Sequence, residues 1–276
     1  MITRLVSAAA RAFLVAVLVA TPALLLPGTP IETTQMIALL ALLGALLTFV
    51  EYVSESPSLV EFRFAPPFNR MRFFALATTV LLLTLICRGL VLPTPLSNVL
   101  GNLGTLVGAA MDFPFSPVRL MMLAAPPDIP ASGLALIRTL AGISYGICLT
   151  TLIFFVIVVR VLDWPLRSGA FNFWINLPLY DPTTGGDILN RLKRDSHVNV
   201  ALGFLLPFLI PAALKAASIN ATTLALTDPQ TLIWTMSAWA FLPASLIMRG
   251  VALMRIAALI EEKRRRAYAQ AQLQTV

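Results

Sequence analysis

The sequence predicts an all-α polytopic membrane bundle of about six spans, N-in and C-in, with a short amphipathic outer helix and a basic cytoplasmic C-terminal helix. Three observations carry this. The 276 residues are 58% hydrophobic and only 12% charged, against about 45–50% and about 25% in an ordinary soluble protein. Apolar runs long enough to cross a hydrocarbon core about 30 Å thick recur along the chain. The basic residues cluster in alternate connections between those runs, as the retention of Lys and Arg on the cytoplasmic side requires.

The spans are expected at about Ala9–Leu26, Gln35–Val53, Phe73–Leu92, Leu134–Leu162, Val198–Ser218 and Thr231–Arg255. Helix is the conformation for each, because a segment in lipid must satisfy its own backbone hydrogen bonds and these runs lack the in–out alternation of a barrel strand. With the N-terminus inside, 16 of the 20 basic residues are cytoplasmic, and only Arg88, Arg119, Arg138 and Lys215 lie outside. The net charge of +7 therefore reads as a topology signal, and no nucleic-acid partner follows from bases spread over several loops. Arg4 and Arg11 before the first apolar run also resemble a signal peptide. The uncleaved anchor is preferred, because cleavage would put the termini on opposite sides. Residues 1–256 form the bundle in this reading and residues 257–276 a basic tail.

Between the spans, Val99, Leu100, Leu103, Val107 and Ala110 follow helical spacing from Leu96, with Gly101, Gly104 and Gly108 along a small side. Each glycine costs a helix about 1 kcal/mol relative to alanine, so close helix packing is the expected compensation. A turn is expected at Val118–Leu123, among prolines that break the rest of the connection. On the inside, Val60, Phe62 and Phe64 alternate with Glu61 and Arg63, and Phe171, Phe173 and Ile175 alternate with Asn172, Trp174 and Asn176. The period of two suggests that these stretches pair as a small sheet. Alternatively Phe62, Phe64, Phe68, Trp164, Phe173, Trp174 and Tyr180 form an aromatic belt at headgroup depth. Asp187 is expected to cap a cytoplasmic helix leading into the fifth span. Pro207, Pro211 and Pro243 should kink the last two spans. The last span should continue into the tail, with Glu261 and Glu262 each four residues before a basic partner.

The residues offer little for catalysis. There is one histidine, His197, and Cys87 and Cys148 lie singly within spans, so no cofactor, metal site or disulfide framework is expected. Every Asp and Glu falls in a loop or at a span end, Glu51 being nearest to an exception, which disfavours proton- or sodium-coupled transport. Arg88, Arg138 and Lys215 at three outer span ends would form an anion-attracting vestibule if those ends converge. Otherwise each snorkels to the headgroups. Arg63, Phe64, Trp174 and the run Lys263, Arg264, Arg265 and Arg266 are the candidates for contact with anionic lipid headgroups or with other subunits. The sequence thus reads as a non-catalytic accessory, assembly or scaffold component of a complex in the cytoplasmic (inner) membrane, a homo-oligomer being compatible with it. The alternative is a small-solute transporter or channel, for an anion.

Overall fold

The structure, a computed structural model, describes residues 2–55, 58–165, 172–178, 187–219 and 228–274. These form α1 (Ile2–Leu25), α2 (Ile31–Val53), α3 (Phe68–Gly89), α4 (Pro95–Met111), α5 (Pro117–Leu123), α6 (Ala131–Val161), α7 (Phe173–Asn176), α8 (Ile188–Ile219) and α9 (Pro229–Gln274). Six of them, α1, α2, α3, α6, α8 and α9, are long and apolar enough to cross a membrane. The chain is a multi-pass helical bundle. Several helices overrun the apolar windows: α1 starts at Ile2, α8 at Ile188, and α9 runs unbroken from the span into the tail. Hydropathy marks the lipid-crossing part of a helix, whereas the backbone continues until a breaker or cap stops it.

The centre is built from α3, α6 and α9, which all touch one another. Val80 and Leu83 from α3, Ile137, Leu140 and Ala141 from α6, and Ile233, Met236 and Trp239 from α9 are buried together. The flanks are less engaged. Among the described residues α2 packs on α1 alone, and α8 packs only on α9 and α5. The antiparallel α1–α2 hairpin brings Gly44 against Val15, and the rest of α2 is apolar on nearly every side.

Backbone approach explains the outer connection. Thr94 and Ser97 cap α4 reciprocally, and Pro95 occupies its first turn. A Cβ on Gly142 of α6 would stand 2.5 Å from the Gly108 Cα, and one on Gly108 would stand 2.7 Å from the Arg138 carbonyl oxygen. Gly104 is similarly closed off by Thr139 and Ile143, whereas Gly101 faces open space. Two of the three glycines expected to pack therefore do so. The expected turn after α4 is α5, capped by the Ser116 hydroxyl, with Val118 and Met121 fully buried.

The prolines of the last hairpin also have a structural use. Pro211 has no N–H to give the carbonyl four residues back, that of Pro207. Trp239 fills the gap, its indole Nε1–H donating to the Pro207 oxygen at 3.1 Å. Below it Gly203 and Gly250 let α8 and α9 meet backbone to backbone, and the Ser196 hydroxyl donates to the Gly250 oxygen at 2.7 Å. Cys87 and Cys148 are buried free thiols.

Candidate functional site

The charged and aromatic residues singled out by sequence gather mainly at the end of the bundle that carries both termini. There the α2–α3 connection folds inward. Glu51, in the last turn of α2, is buried and accepts from the backbone N–H groups of Ser58, Leu59 and Val60 at 3.1–3.2 Å, and from the Ser58 hydroxyl. A carboxylate held by consecutive amides pins the connection in place of a regular turn. Glu61 follows, buried, and receives Arg249 of α9 through two hydrogen bonds, Nε to Oε2 at 2.6 Å and Nη2 to Oε1 at 2.7 Å. Arg63 is also buried, and its guanidinium donates to the carbonyl oxygens of Glu51, Ser54 and Glu55. Burial, reinforced by nearby Arg4, holds its pKa below the ordinary guanidinium value.

These contacts correct the expected sheet. No strand forms among the described residues. Residues 61–64 run through consecutive turns in which Phe62 has a φ of 53°, a left-handed conformation that reverses the chain and destroys the period of two. Glu61 and Arg63 are consequently buried rather than solvated, and find partners on α9 and at the end of α2. The two stretches nevertheless meet. Asn176 of α7 accepts the Phe62 N–H on its backbone oxygen at 2.7 Å and the Phe64 N–H on its side-chain oxygen at 2.9 Å.

The expected aromatic belt is corrected as well. Phe62, Phe68, Phe155 and Trp164 form a buried knot, with ring centroids 4.6 Å apart for Phe62–Phe68, 5.5 Å for Phe68–Phe155 and 5.7 Å for Phe155–Trp164. The Trp164 indole donates to the Ala65 oxygen at 3.1 Å. Burying large rings with the one N–H satisfied contributes more than leaving them at an interface. Phe64 alone of the described set stays exposed, at 55%. The side chains of Phe173 and Trp174, and all of Tyr180, lie outside the described residues.

The tail is tied to α8. Lys193 pairs with Glu261 at 2.9 Å and Arg264 with Asp187 at 3.0 Å, while Arg266 pairs with Glu262 one turn earlier. Of the two intrahelical pairs expected, the second forms. Glu261 reaches across to α8 instead. Lys263 and Arg265 are exposed without an ion pair among the described residues. Asp187 caps α8 as expected, its Oδ1 accepting the Leu189 N–H at 3.3 Å. The Arg264 hydrogen bond, followed by the Leu189 amide, holds its carboxyl below the usual range.

At the opposite end Arg88, Arg138 and Lys215 take separate surroundings. Arg138 lies 3.8 Å from Asp112, whose other oxygen is 2.6 Å from Arg119 Nε. Lys215 Nζ reaches the Ala125 oxygen at 3.4 Å, on a helix that touches neither α3 nor α6 among the described residues. Arg88 sits in the last turn of α3. His197 lines a groove of about 670 Å³ with Arg160, Arg255 and Phe204. Among the described residues no three His, Cys, Asp or Glu side chains come together.

Sequence reasoning missed the Glu61–Arg249 pair, whose partners are 188 positions apart and carry no local signal. It also missed a basic face on α1, for which a signal exists: Arg4, Ser7 and Arg11 at i, i+3 and i+7. No protein family, characterised protein or solved structure matches the chain.

Proposed function

We propose that the chain is a non-catalytic integral protein of the cytoplasmic membrane, with both termini inside, acting as an accessory, assembly or scaffold component of a larger membrane complex. The observation that carries this reading is the one-sided engagement of α2. Only Ile37, Ala41 and Glu51 of its 23 residues are buried, and Leu39, Leu43 and Leu46 are all at least half exposed. A helix apolar all round that touches one neighbour offers a complete flank for lateral packing. The charges at the terminal end support the same reading, since Glu51, Glu61, Arg63 and Arg249 hold loops and helices together. Exposed Phe64, Lys263 and Arg265 remain for an outside partner. The orientation rests on the basic residues retained at that end.

The test is purification of the tagged chain from its native membrane in mild detergent or nanodiscs, with mass spectrometry of what accompanies it. A stoichiometric partner, reduced by Phe64→Ala or by deletion of residues 263–276 while insertion is unchanged, is the expected result. A homo-oligomer without a partner would turn the reading toward transport. In that case Arg88→Gln, Arg138→Gln and Lys215→Gln should abolish anion flux, and unchanged flux would dispose of the vestibule.

A further inference from the structure

Arg4, Ser7 and Arg11 share one face of α1, and the antiparallel α2 brings Tyr52 against it. The inward fold of the α2–α3 connection adds Glu55, Arg63 and Phe64, and α7 adds Ile175, closing an open-mouthed pocket of about 470 Å³. Its electrostatics are lopsided. None of the three guanidiniums has a carboxylate within ion-pair distance among the described residues. Arg4 donates to the Ser54 oxygen. Arg11 donates to the Ser7 oxygen at 2.9 Å, and its guanidinium carbon stands 4.6 Å from the Tyr52 ring centroid. Arg63, only 8% exposed, donates to carbonyl oxygens, its guanidinium carbon stands 4.5 Å from the Phe64 ring centroid, and its buried Nε has no hydrogen-bond partner.

The nearby carboxylates offset this charge only in part, Glu51 acting on Arg63 without pairing with it. Glu51 is turned to the amides of Ser58, Leu59 and Val60, leaving Glu55 as the acidic group on the pocket wall. Arg70 and Arg72 also lie within electrostatic reach of Tyr52. A buried guanidinium whose direct partners are carbonyl dipoles and a ring face is short of the paired anion that would offset its desolvation. Several guanidiniums converging on one space suit the tetrahedral oxygens of a phosphate, which Arg binds through paired, charge-assisted hydrogen bonds. The setting identifies the rest of the ligand. On α2 the turns adjoining Tyr52 expose Leu47 and Val50, an apolar track for an acyl chain beside a cationic head site.

We infer that Arg4, Arg11 and Arg63 hold the phosphate of an anionic phospholipid in the leaflet at the terminal end of the bundle, with the acyl chains lying along α2. This assignment stands apart from the scaffold reading and survives if no partner protein is found. Lipid at this position would also brace α2, which among the described residues packs on no helix other than α1.

The test uses the purified full chain in a neutral detergent, with its thermal midpoint followed against dioctanoyl phosphatidylglycerol, dioctanoyl phosphatidylcholine and inorganic phosphate. The phosphatidylglycerol should give a saturable upward shift. Arg4→Gln with Arg11→Gln should raise its half-saturating concentration by about ten-fold or more, through loss of two charge-assisted partners. Glu55→Gln should lower it by removing the competing carboxylate, a gain that misfolding cannot mimic. Replacing the exposed Arg194, which is paired with Asp195 away from the pocket, by Gln should leave it unchanged. Equal shifts with the phosphatidylcholine, or half-saturation unmoved by both the arginine and Glu55 variants, would overturn the site. Inorganic phosphate matching the lipid at equal concentration would overturn the lipid assignment in favour of a free-anion site.

Discussion

The Glu61–Arg249 pair gives the sharpest quantitative expectation. It joins the α2–α3 connection to the middle of α9 by a bidentate contact of 2.6 and 2.7 Å, with 8% of the Glu61 side chain and 25% of that of Arg249 exposed. Glu61→Gln keeps the shape but removes the charge. Breaking a buried pair on one side costs about 3–5 kcal/mol, chiefly because the surviving ion is left uncompensated. Arg249 has some access to solvent, which relieves part of that penalty, so about 2–3 kcal/mol is expected. The loss should appear as a shift of the unfolding free energy in titrations from dodecylmaltoside into sodium dodecyl sulfate. Glu61→Gln combined with Arg249→Gln should cost clearly less than the two single changes added together, because neither ion is then stranded. A single variant within about 0.5 kcal/mol of the wild type, the range of an ordinary surface change, would refute the reasoning.

Three further outcomes follow from contacts of other kinds. Gly142→Ala places a Cβ 2.5 Å from the Gly108 Cα, and backbone cannot yield as a side chain end can, so a loss of about 1–3 kcal/mol is expected in the same titration. Trp239→Phe leaves the Pro207 oxygen without a donor and should cost about 1–3 kcal/mol, whereas a change at the exposed Phe204 should not. The Asp187 carboxyl is depressed by Arg264 and the Leu189 amide. Its contribution is therefore complete above its ordinary value of 3.8 and disappears as pH falls through the lower folded value. Amide signals of residues 188–191 in nuclear magnetic resonance titrations should hold steady from pH 7 to 5 and move only in the more acidic range. Asp187→Asn should remove that movement.

What could be read from the residues divides by the range of the interaction. The spans follow from length and apolarity, and the Asp187 cap and the Gly104–Gly108 spacing follow from neighbours within a turn or two. The connection at residues 54–67 does not. Its alternation of aromatic and charged residues has the period of a strand, yet Phe62 packs on Phe68 and Trp164, and Glu61 waits on an arginine from the last helix. Burial of Glu61 is offset only because that distant arginine arrives, and burial of Arg63 only because the folded connection turns the carbonyls of Glu51, Ser54 and Glu55 toward it; a local pattern announces neither. Gly101 marks the reverse limit: its spacing matches its neighbours, but the crossing of α4 over α6 leaves it facing open space. In the candidate site, Phe64 and the tail bases were legible as exposed positions. The partners of Arg63 and the three-arginine pocket required the folded connection.

The central claim, that the free flank of α2 is a surface for another protein, is tested most directly by photocrosslinking in the native membrane. A photoreactive residue at Leu39, and separately at Leu43, each at least half exposed and away from the Leu47–Val50 track, should capture a protein adduct of one defined mass, absent when the label is moved to Ile37 on the α1-facing side. Adducts to lipid alone at both positions would contradict the claim.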